Sequence, residues 1–579
     1  MTMPAKIAPS NLKKTGLPVM VERAEPFPVT KVERRRAIAA SSVGTIFEWY
    51  DFYLYAVLTP FFAGLFFPPG NETAALLAAF AAYAAGFIVR PLGALFFGRL
   101  GDLEGRKYAF LVSIIFMGFA TFTVGLLPTF EQAGWLAPIL LVTLRLLQGL
   151  ALGGEYGGAA IYAAEYTPVR RRGYATSFVQ ATPTSGLLLA LIVIGLCRWQ
   201  IPAADFERWG WRIPFLVSIL LLAFSISIRI RLRETPVFLR MKAEGRASQN
   251  PVSESFSRLP NIKYIVLSLL GATAGQGVVW YTGQLYTLFF LTITLHLDYL
   301  TAYFLVGAAL AAGLPFFIFF GWLSDKIGRL KIILLGCLLA AASYVPLFHI
   351  LSSAVNPALA EFQAANPITL QADQAECSVT VFARPWPALS LCNQASAFLT
   401  KSGLSFTSVN APGSKSVLVS IGDQNVDISG TADGSVDAIL QRALFAAGYP
   451  GLTLKYGDGR PQTDARGDPL FERKSAELAR IDYAKALGVL FAMMLYATMV
   501  YGPIAAFLVE LFPPKVRYTS LSFPYHIGNG VFGGLLPLIA TAIAAETGNV
   551  YAGLWYPVSV AGLTFIVGSL FLRKRRRHE

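Results

Sequence analysis

Glu48, Asp51 and Tyr55 stand inside a long apolar run at i, i+3 and i+7, so a helix there carries all three on one face. Carboxyls at membrane depth are costly unless they pair or line a wet cavity, and two chemistries follow. One is uptake and release of a proton, or handling of a polar solute. The other is a fixed ion pair between helices, for which Arg90 or Arg145 supplies the partner. Arg90 precedes Pro91 in a second apolar run and Arg145 sits within another. A guanidinium stays charged and can hold a carboxylate through two hydrogen bonds, on a solute or on a neighbouring helix. Glu155, ten residues after Arg145, is either a proton site or the partner of a basic group.

Further along, Gln276, Trp280 and Gln284 recur at i, i+4 and i+8 with Tyr281 adjacent, and His526 and Asn529 lie one turn apart after Pro524. A stripe of amides and aromatics facing a cavity suits a small polar metabolite. Its plainer counterpart is an aromatic packed on lipid or on a neighbouring helix. His526, of the residue type that titrates near neutrality, is either a proton group or a helix-to-helix hydrogen bond.

Such residues need elements that hold them at depth. The 579 residues are 55% hydrophobic and 14% charged, with mean hydropathy +0.53, a composition of membrane proteins. Apolar segments of spanning length fall near 37–66, 73–98, 109–128, 137–163, 173–197 and 212–231, then near 264–295, 300–323, 332–352, 484–512, 519–546 and 551–572. The expected fold is therefore an all-α membrane protein of twelve transmembrane helices in two six-helix halves, lying in a lipid bilayer. The net charge of +14 does not point to nucleic acid, because the basic residues cluster at the ends of apolar runs. They lie in alternate loops, at Arg99 to Lys107, Arg170 to Arg172, Lys326 to Lys331, Lys515 to Arg517 and the tail from Arg573, and only the fifth loop, with Arg198, Arg208 and Arg212, runs against the pattern. The bias predicts that both termini are cytoplasmic, in a bacterial inner membrane. Residues 1–36 lack the apolar core of a signal peptide and read as a cytoplasmic tail.

Two motifs occur twice. Gly98, Asp102, Gly105 and Arg106 reappear in altered form as Gly321 to Lys331, with Asp325 and Arg329, while Glu165, Pro168 and Arg172 reappear as Glu510, Pro513 and Arg517. Glycine permits a tight turn there and aspartate can pair with a basic neighbour. The first pair is separated by 223 positions and the second by 345, so the second half carries about 122 additional residues. Composition locates them in a polar, Gly/Pro-punctuated stretch on the outer side. Ser378 to Phe382 and Ser416 to Gly422 read as strands and Val436 to Gly448 as an amphipathic helix ended by glycine, so a small α/β extracytoplasmic domain is expected. The resulting division is 1–36 tail, 37–232 first bundle, 233–263 central loop, 264–352 helices 7 to 9, 353–482 periplasmic insert, 483–573 helices 10 to 12, and 574–579 basic tail. Cys377 and Cys392 fall on the oxidising side, where they either form a disulfide or stay as two buried thiols. A protein partner of the insert is unspecified by its sequence. Gly149, Gly153 and Gly157, with Gly154 and Gly158, set small residues along one helix as a close-packing seam.

Taken together, the twelve spans, GRLGDLEGRK at Gly98 and LVTLRLLQGLALGGE around Arg145 resemble the major facilitator superfamily. EWYDFYLY at Glu48, RPLGALFFGRLGD at Arg90, LLQGLALGGEYGGA at Leu146, RETPVF at Arg233 and QGVVWYTGQLYTLFF at Gln276 are similar to its metabolite:proton symporter branch. The resemblance implies proton-coupled symport of a small organic acid or zwitterion by alternating access, without cofactor, metal or catalytic residue, and does not extend to the insert. It associates Arg145 with proton coupling. It also implies that Asp102 and Arg106, with Asp325 and Arg329 opposite, stabilise the outward-open state through contacts between the halves. No GxxxxGK[ST] loop is present, which argues against an ATP-driven pump. An alternative is a transporter-like sensor whose outer domain binds a ligand. A catalytic insert is disfavoured, since 353–482 contains no histidine and no nucleophile motif.

Overall fold

A computed structural model describes residues 30–68, 72–231, 234–245, 248–373, 377, 390–414, 416–431, 435–457, 460–464, 467 and 469–572. Among the described residues, eleven helices are long and apolar enough to cross a membrane. A twelfth, span 1, runs from Lys31 to Phe66; its carboxyls, tyrosines and basic start make it the least apolar. Span 2 comprises Glu72–Ile88 and Arg90–Leu103, broken where Pro91 follows Arg90. Spans 3 to 6 are Arg106–Val124, Leu136–Glu165, Val169–Gln200 and Arg212–Ile230. Spans 7 to 12 are Leu259–Thr294, Tyr299–Ile327, Arg329–Val355, Tyr483–Leu511, Pro514–Thr547 and Ala552–Leu572.

Span 1 begins six residues before the expected boundary at 37. Thr30 accepts a hydrogen bond from the Glu33 amide at 3.1 Å while Glu33 reaches back to the Thr30 amide at 3.0 Å, a reciprocal cap that draws Arg34 to Arg36 into the helix. The central segment holds two short helices, Pro236–Ala243 and Pro251–Phe256, each opened by a proline and capped by Thr235 or Asn250.

Glycines let spans 2 and 4 approach closely. A Cβ at Gly149 would strike the Gly86 carbonyl and one at Gly153 the Arg90 carbonyl, whereas Gly157 and Gly158 face Ser522 and Tyr518 of span 11 in the other half. The glycine seam thus serves two interfaces.

The insert begins beyond span 9. Four strands, β1 (Ile368–Ala372), β2 (Thr407–Asn410), β3 (Leu418–Ile421) and β4 (Gln424–Asp427), form a sheet in the order β2-β1-β3-β4. β1 and β2 are parallel and joined through the helix Leu391–Lys401, while β3 and β4 make a hairpin closed by Gly422, at φ 55°, and Asp423. Ile368, Leu370 and Ala372 of β1 and Val419 and Ile421 of β3 are buried at alternate positions, with Leu399 of the Leu391–Lys401 helix and Leu440 and Leu444 of the Val436–Ala446 helix in the same core. The helix at Val436 ends at Ala446, and Gly448 follows at φ 83°. The strand expected at Ser378 to Phe382 lies outside the described residues. Cys377 is bonded to Cys392.

The insert is tied to the second half. Phe406 and Ser396 donate to the Gly548 and Ala545 carbonyls, both at 2.7 Å, and Ala476 donates to the His296 carbonyl at 3.0 Å. The Leu391–Lys401 helix also reaches span 2, so the insert bridges the two halves above their centre.

Candidate functional site

The Arg90 guanidinium approaches the Tyr281 hydroxyl, but this fully buried side chain pairs with no carboxylate among the described residues. Instead the group lies 4.1 Å from the Phe87 ring centroid and 4.4 Å from that of Phe52. Arg145 lies over Tyr55 at 4.3 Å and Phe52 at 4.9 Å; its Nη1 donates to Gln148 at 2.7 Å, and Gln148 in turn donates to Thr121 at 2.8 Å. Nε and Nη2 of Arg145 remain unpartnered among the described residues. Two cations therefore share one aromatic box built by spans 1, 2 and 4. Neither forms the ion pair with Glu48 that sequence reasoning left open.

Glu48 is paired instead with Arg229 of span 6. Arg229 also donates to Thr45 at 3.2 Å and lies 3.5 Å from the Phe110 centroid, so this pair locks spans 1, 3 and 6 within one half. Asp51, one turn beyond, is buried with Oδ1 unpartnered, and Glu155 is buried with Oε1 unpartnered, among the described residues. The three residues of the span 1 face thus separate: Glu48 is ion-paired, Asp51 has no ion-pair partner among the described residues, and Tyr55 donates to the Ala79 carbonyl at 3.3 Å beneath Arg145.

The second half contributes through spans 7, 10 and 11. Span 7 is interrupted by π-helical turns at Leu269–Thr273 and Thr282–Tyr286, and span 11 by one at Ile527–Gly534, directly after His526. Gln276 and Asn529 exchange reciprocal amide hydrogen bonds at 2.9 and 2.7 Å. Gln284 accepts from Thr184 of span 5 at 3.1 Å, across the halves. Trp280 stacks on Tyr53 of span 1 with centroids 5.7 Å apart, and Tyr281 meets Phe87 edge-on at 5.5 Å. His526 lies against Tyr156 and Tyr525, and those two tyrosines stack face to face across the halves. His526 approaches the Gly153 backbone, and the indole nitrogen of Trp280 lacks a partner among the described residues. Tyr501 and Tyr525 hydroxyls meet at 2.5 Å, and Gln180 donates to the Tyr156 hydroxyl at 3.2 Å. The centre is thus closed by aromatics from both halves around a set of unused polar groups.

At one end of the bundle the repeated motifs meet the opposite half. Asp102 accepts from the Thr519 amide at 3.1 Å and hydroxyl at 2.9 Å, at the start of span 11, and pairs with Arg106 at 2.6 Å. Asp325 accepts from the Gly173 and Tyr174 amides at 2.9 and 2.8 Å, at the start of span 5, and pairs with Arg329 at 3.1 Å. Each aspartate thus caps a helix of the other half, where free amides and the helix dipole favour negative charge. Arg106 and Arg329 reach the Pro514 and Val169 carbonyls across the same seam. Glu165 pairs with Arg517 across it at 3.0 Å, while Glu510 pairs with Arg329 at 2.8 Å. Arg172 opens the helix that Asp325 caps. Gly105, at φ 129°, and Gly328, at φ 104°, make the turns that free these aspartates, and Gly98 packs on the Thr519 backbone.

Residues 40–365 match the model of the Major Facilitator Superfamily. The chain belongs to that superfamily. This member is 36% identical over 327 residues to the shikimate transporter of Escherichia coli strain K12, covering 55% of this chain and 73% of that one. It is 37% identical over 326 residues to the alpha-ketoglutarate permease of the same strain, covering 56% and 74%, and 33% identical over 328 residues to the proline/betaine transporter, covering 55% and 65%. Solved structures extend the likeness to the whole bundle. A proton:xylose symporter bound to a bromodeoxyglucose aligns with TM-score 0.59 at 14% identity, over 93% of this chain and 96% of that one, and a partially occluded inward-open xylose transporter from E. coli aligns with TM-score 0.54 at 14% identity, over 93% and 98%. At that identity the likeness is one of fold.

Within this superfamily member, sequence reasoning missed Arg229, which lies in the last turn of an apolar run, where basic residues commonly mark a span end. It also missed Tyr53, Tyr156, Tyr501 and Tyr525, because a buried tyrosine in a membrane helix carries no mark distinguishing a central site from lipid-facing packing.

Proposed function

We propose that the protein is a secondary carrier that moves a small organic acid or zwitterion together with a proton, by rocking its two halves about the central aromatic box. One observation carries this reading: Arg90 and Arg145 are buried in an aromatic enclosure, and neither pairs with a carboxylate among the described residues. Buried cations left unpaired are expensive, and a solute carboxylate arriving with two acceptor oxygens supplies what the protein withholds. Relatives named for shikimate, alpha-ketoglutarate and proline or betaine all point to carboxylate-bearing solutes.

In this scheme Asp51 takes the proton, since its carboxyl is unpaired beside the box while Glu48 is held by Arg229. Glu155, His526, Gln276, Trp280, Tyr281, Gln284 and Asn529 shape the solute site from the second half and span 4. Asp102, Arg106, Glu165 and Arg172, with Asp325, Arg329, Glu510 and Arg517, form the cytoplasmic gate that is closed when the outer side opens. Both termini are cytoplasmic in the inner membrane, and 353–482 lies in the periplasm.

Uptake by proteoliposomes tests the proposal. With an inward proton gradient, at least one of shikimate, α-ketoglutarate, proline and betaine accumulates, and accumulation collapses when a protonophore dissipates the gradient. Failure to accumulate any of the four sinks proton symport of this solute class.

A further inference from the structure

The stretch from Arg198 to Arg212 is where the charge pattern of the sequence breaks, and the structure separates its three arginines. Arg212 donates to the Gly125 and Leu127 carbonyls at 3.0 and 2.6 Å, closing a loop within its own half, and Arg208 is exposed. Arg198, in the last turn of span 5, is placed differently. Its guanidinium lies 4.3 Å from the ring centroid of Tyr299 at the start of span 8, 4.7 Å from that of Phe206 and 5.5 Å from that of Phe61. Tyr299 follows closely on His296, whose carbonyl the insert's Ala476 bonds, so Arg198 sits where the two halves meet at the insert end of the bundle. No carboxylate pairs with it among the described residues, and its buried Nε has no hydrogen-bond partner there. Asp298, next to Tyr299 in the chain, is engaged instead by the Thr301 amide and hydroxyl at 2.9 and 3.1 Å.

Tyr303, one turn along span 8 with its ring 6.2 Å from that of Tyr299, is 6% exposed, and its hydroxyl also lacks a partner among the described residues. Two unused donors from opposite halves therefore lie along one seam. Gly195 keeps that seam tight, since a Cβ there would stand 3.7 Å from the Tyr303 ring. Beside it span 5 presents Ile192, Leu196 and Trp199 at i, i+4 and i+7, and span 8 presents Leu300 and Phe304 at i and i+4, all exposed. Exposed apolar stripes on spanning helices face hydrocarbon, and an exposed tryptophan at a span end belongs at the level of the lipid headgroups. What fits such a surface is an anionic head with several acceptor oxygens on an apolar body that arrives from the bilayer. A guanidinium binds phosphate through paired hydrogen bonds while staying charged, which makes a phospholipid phosphate the matching group.

We propose that this seam binds an anionic phospholipid, whose phosphate is held between Arg198 of the first half and Tyr303 of the second while its acyl chains lie along the Leu196 and Phe304 stripes. The lipid touches both halves at the insert end and so favours the state in which that end is closed. This consequence rests on the carrier reading above, in which the outer mouth opens as the halves rock.

Native mass spectrometry of the solubilised full-length protein, supplied with phosphatidylglycerol or phosphatidylcholine, tests the site without transport. The wild type retains a phosphatidylglycerol in preference to phosphatidylcholine, and Arg198→Gln holds it about tenfold more weakly, the loss expected for one charge-assisted contact; Arg198→Lys restores part of it. Tyr303→Phe, which removes only the hydroxyl, weakens retention about threefold and decides the matter should Arg198→Gln fail to fold. Thermal unfolding separates lipid binding from mere packing of Arg198 on its aromatic neighbours. Phosphatidylglycerol raises the midpoint of the wild type and not that of Arg198→Gln, and the two proteins unfold alike when no lipid is added. Equal retention by the wild type and both variants, no preference for phosphatidylglycerol, or a midpoint lowered equally with and without lipid overturns the site. Displacement of the bound lipid by inorganic phosphate overturns its assignment to lipid. Each of these failures leaves the carrier reading intact, because uptake by proteoliposomes tests that reading separately.

Discussion

Replacing Asp102 by Asn tests the gate most directly. Asp102 is 2% exposed and accepts two hydrogen bonds from Thr519 across the seam while pairing with Arg106 in its own half. Hydrogen bonds to a charged group contribute about 1.5–3 kcal/mol each, and an Asn oxygen keeps the acceptor geometry but not the charge. The substitution therefore weakens the closed seam at this end of the bundle by roughly 2–3 kcal/mol, which shifts its open-to-closed ratio by about 30- to 150-fold. The Asp325 and Glu165 contacts persist, so the fold survives and the balance of conformations changes. Two measurements read this out. Maximal uptake rate in proteoliposomes falls at least about tenfold while KM stays within about threefold, because the solute site is untouched. Maleimide labelling of Ser522→Cys, a buried position on span 11 facing Gly157, speeds up in a background lacking Cys197 and Cys337. A raised KM at normal maximal rate, or unchanged labelling, refutes the gate.

Asp51→Asn abolishes gradient-driven accumulation but retains solute exchange at equal pH on both sides; accumulation that persists removes Asp51 from the coupling step. Glu48→Gln leaves Arg229 buried without its carboxylate and destabilises the protein by about 3–5 kcal/mol, whereas Glu48→Gln with Arg229→Met recovers much of the loss; equal instability of both, read by thermal unfolding in detergent, counts against a structural pair. His296, half-buried in the loop between spans 7 and 8 where the insert's Ala476 bonds its carbonyl, has its pKa pushed down to about 4, mainly by desolvation with Arg473 adding to it, so it is neutral in the fold. A lowered histidine pKa leaves stability intact above about 6.5 and removes up to about 3 kcal/mol as pH falls towards 4. His296→Asn, which tolerates the local φ of 52°, flattens that decline; an unaltered decline excludes His296 as its source. Gly105→Ala forces a side chain into φ 129° and against Glu234, costing about 1–3 kcal/mol and lowering folded yield, and a normal yield counts against the turn.

Much of this protein was legible in one dimension. Hydrophobic segments had to become helices because hydrocarbon offers backbone groups no other partner, and their count and length set the twelve-span fold. The two repeated motifs located the seam and, by their unequal offsets, the insert, since Gly105 and Gly328 must turn wherever the chain reverses. The cap at Thr30 and Glu33 went unread behind the polar, basic run that follows it, and it extends span 1 past the expected boundary. Pairing was decided only in three dimensions. Glu48 faces Arg229, 181 positions away, rather than Arg90 or Arg145, because helix rotation, not sequence spacing, chooses which polar faces meet. The same rotation leaves Arg90, Arg145 and Asp51 without an ion-pair partner among the described residues. Sequence identified which side chains are costly to bury; tertiary packing decided which of those costs are met within the protein and which await a solute.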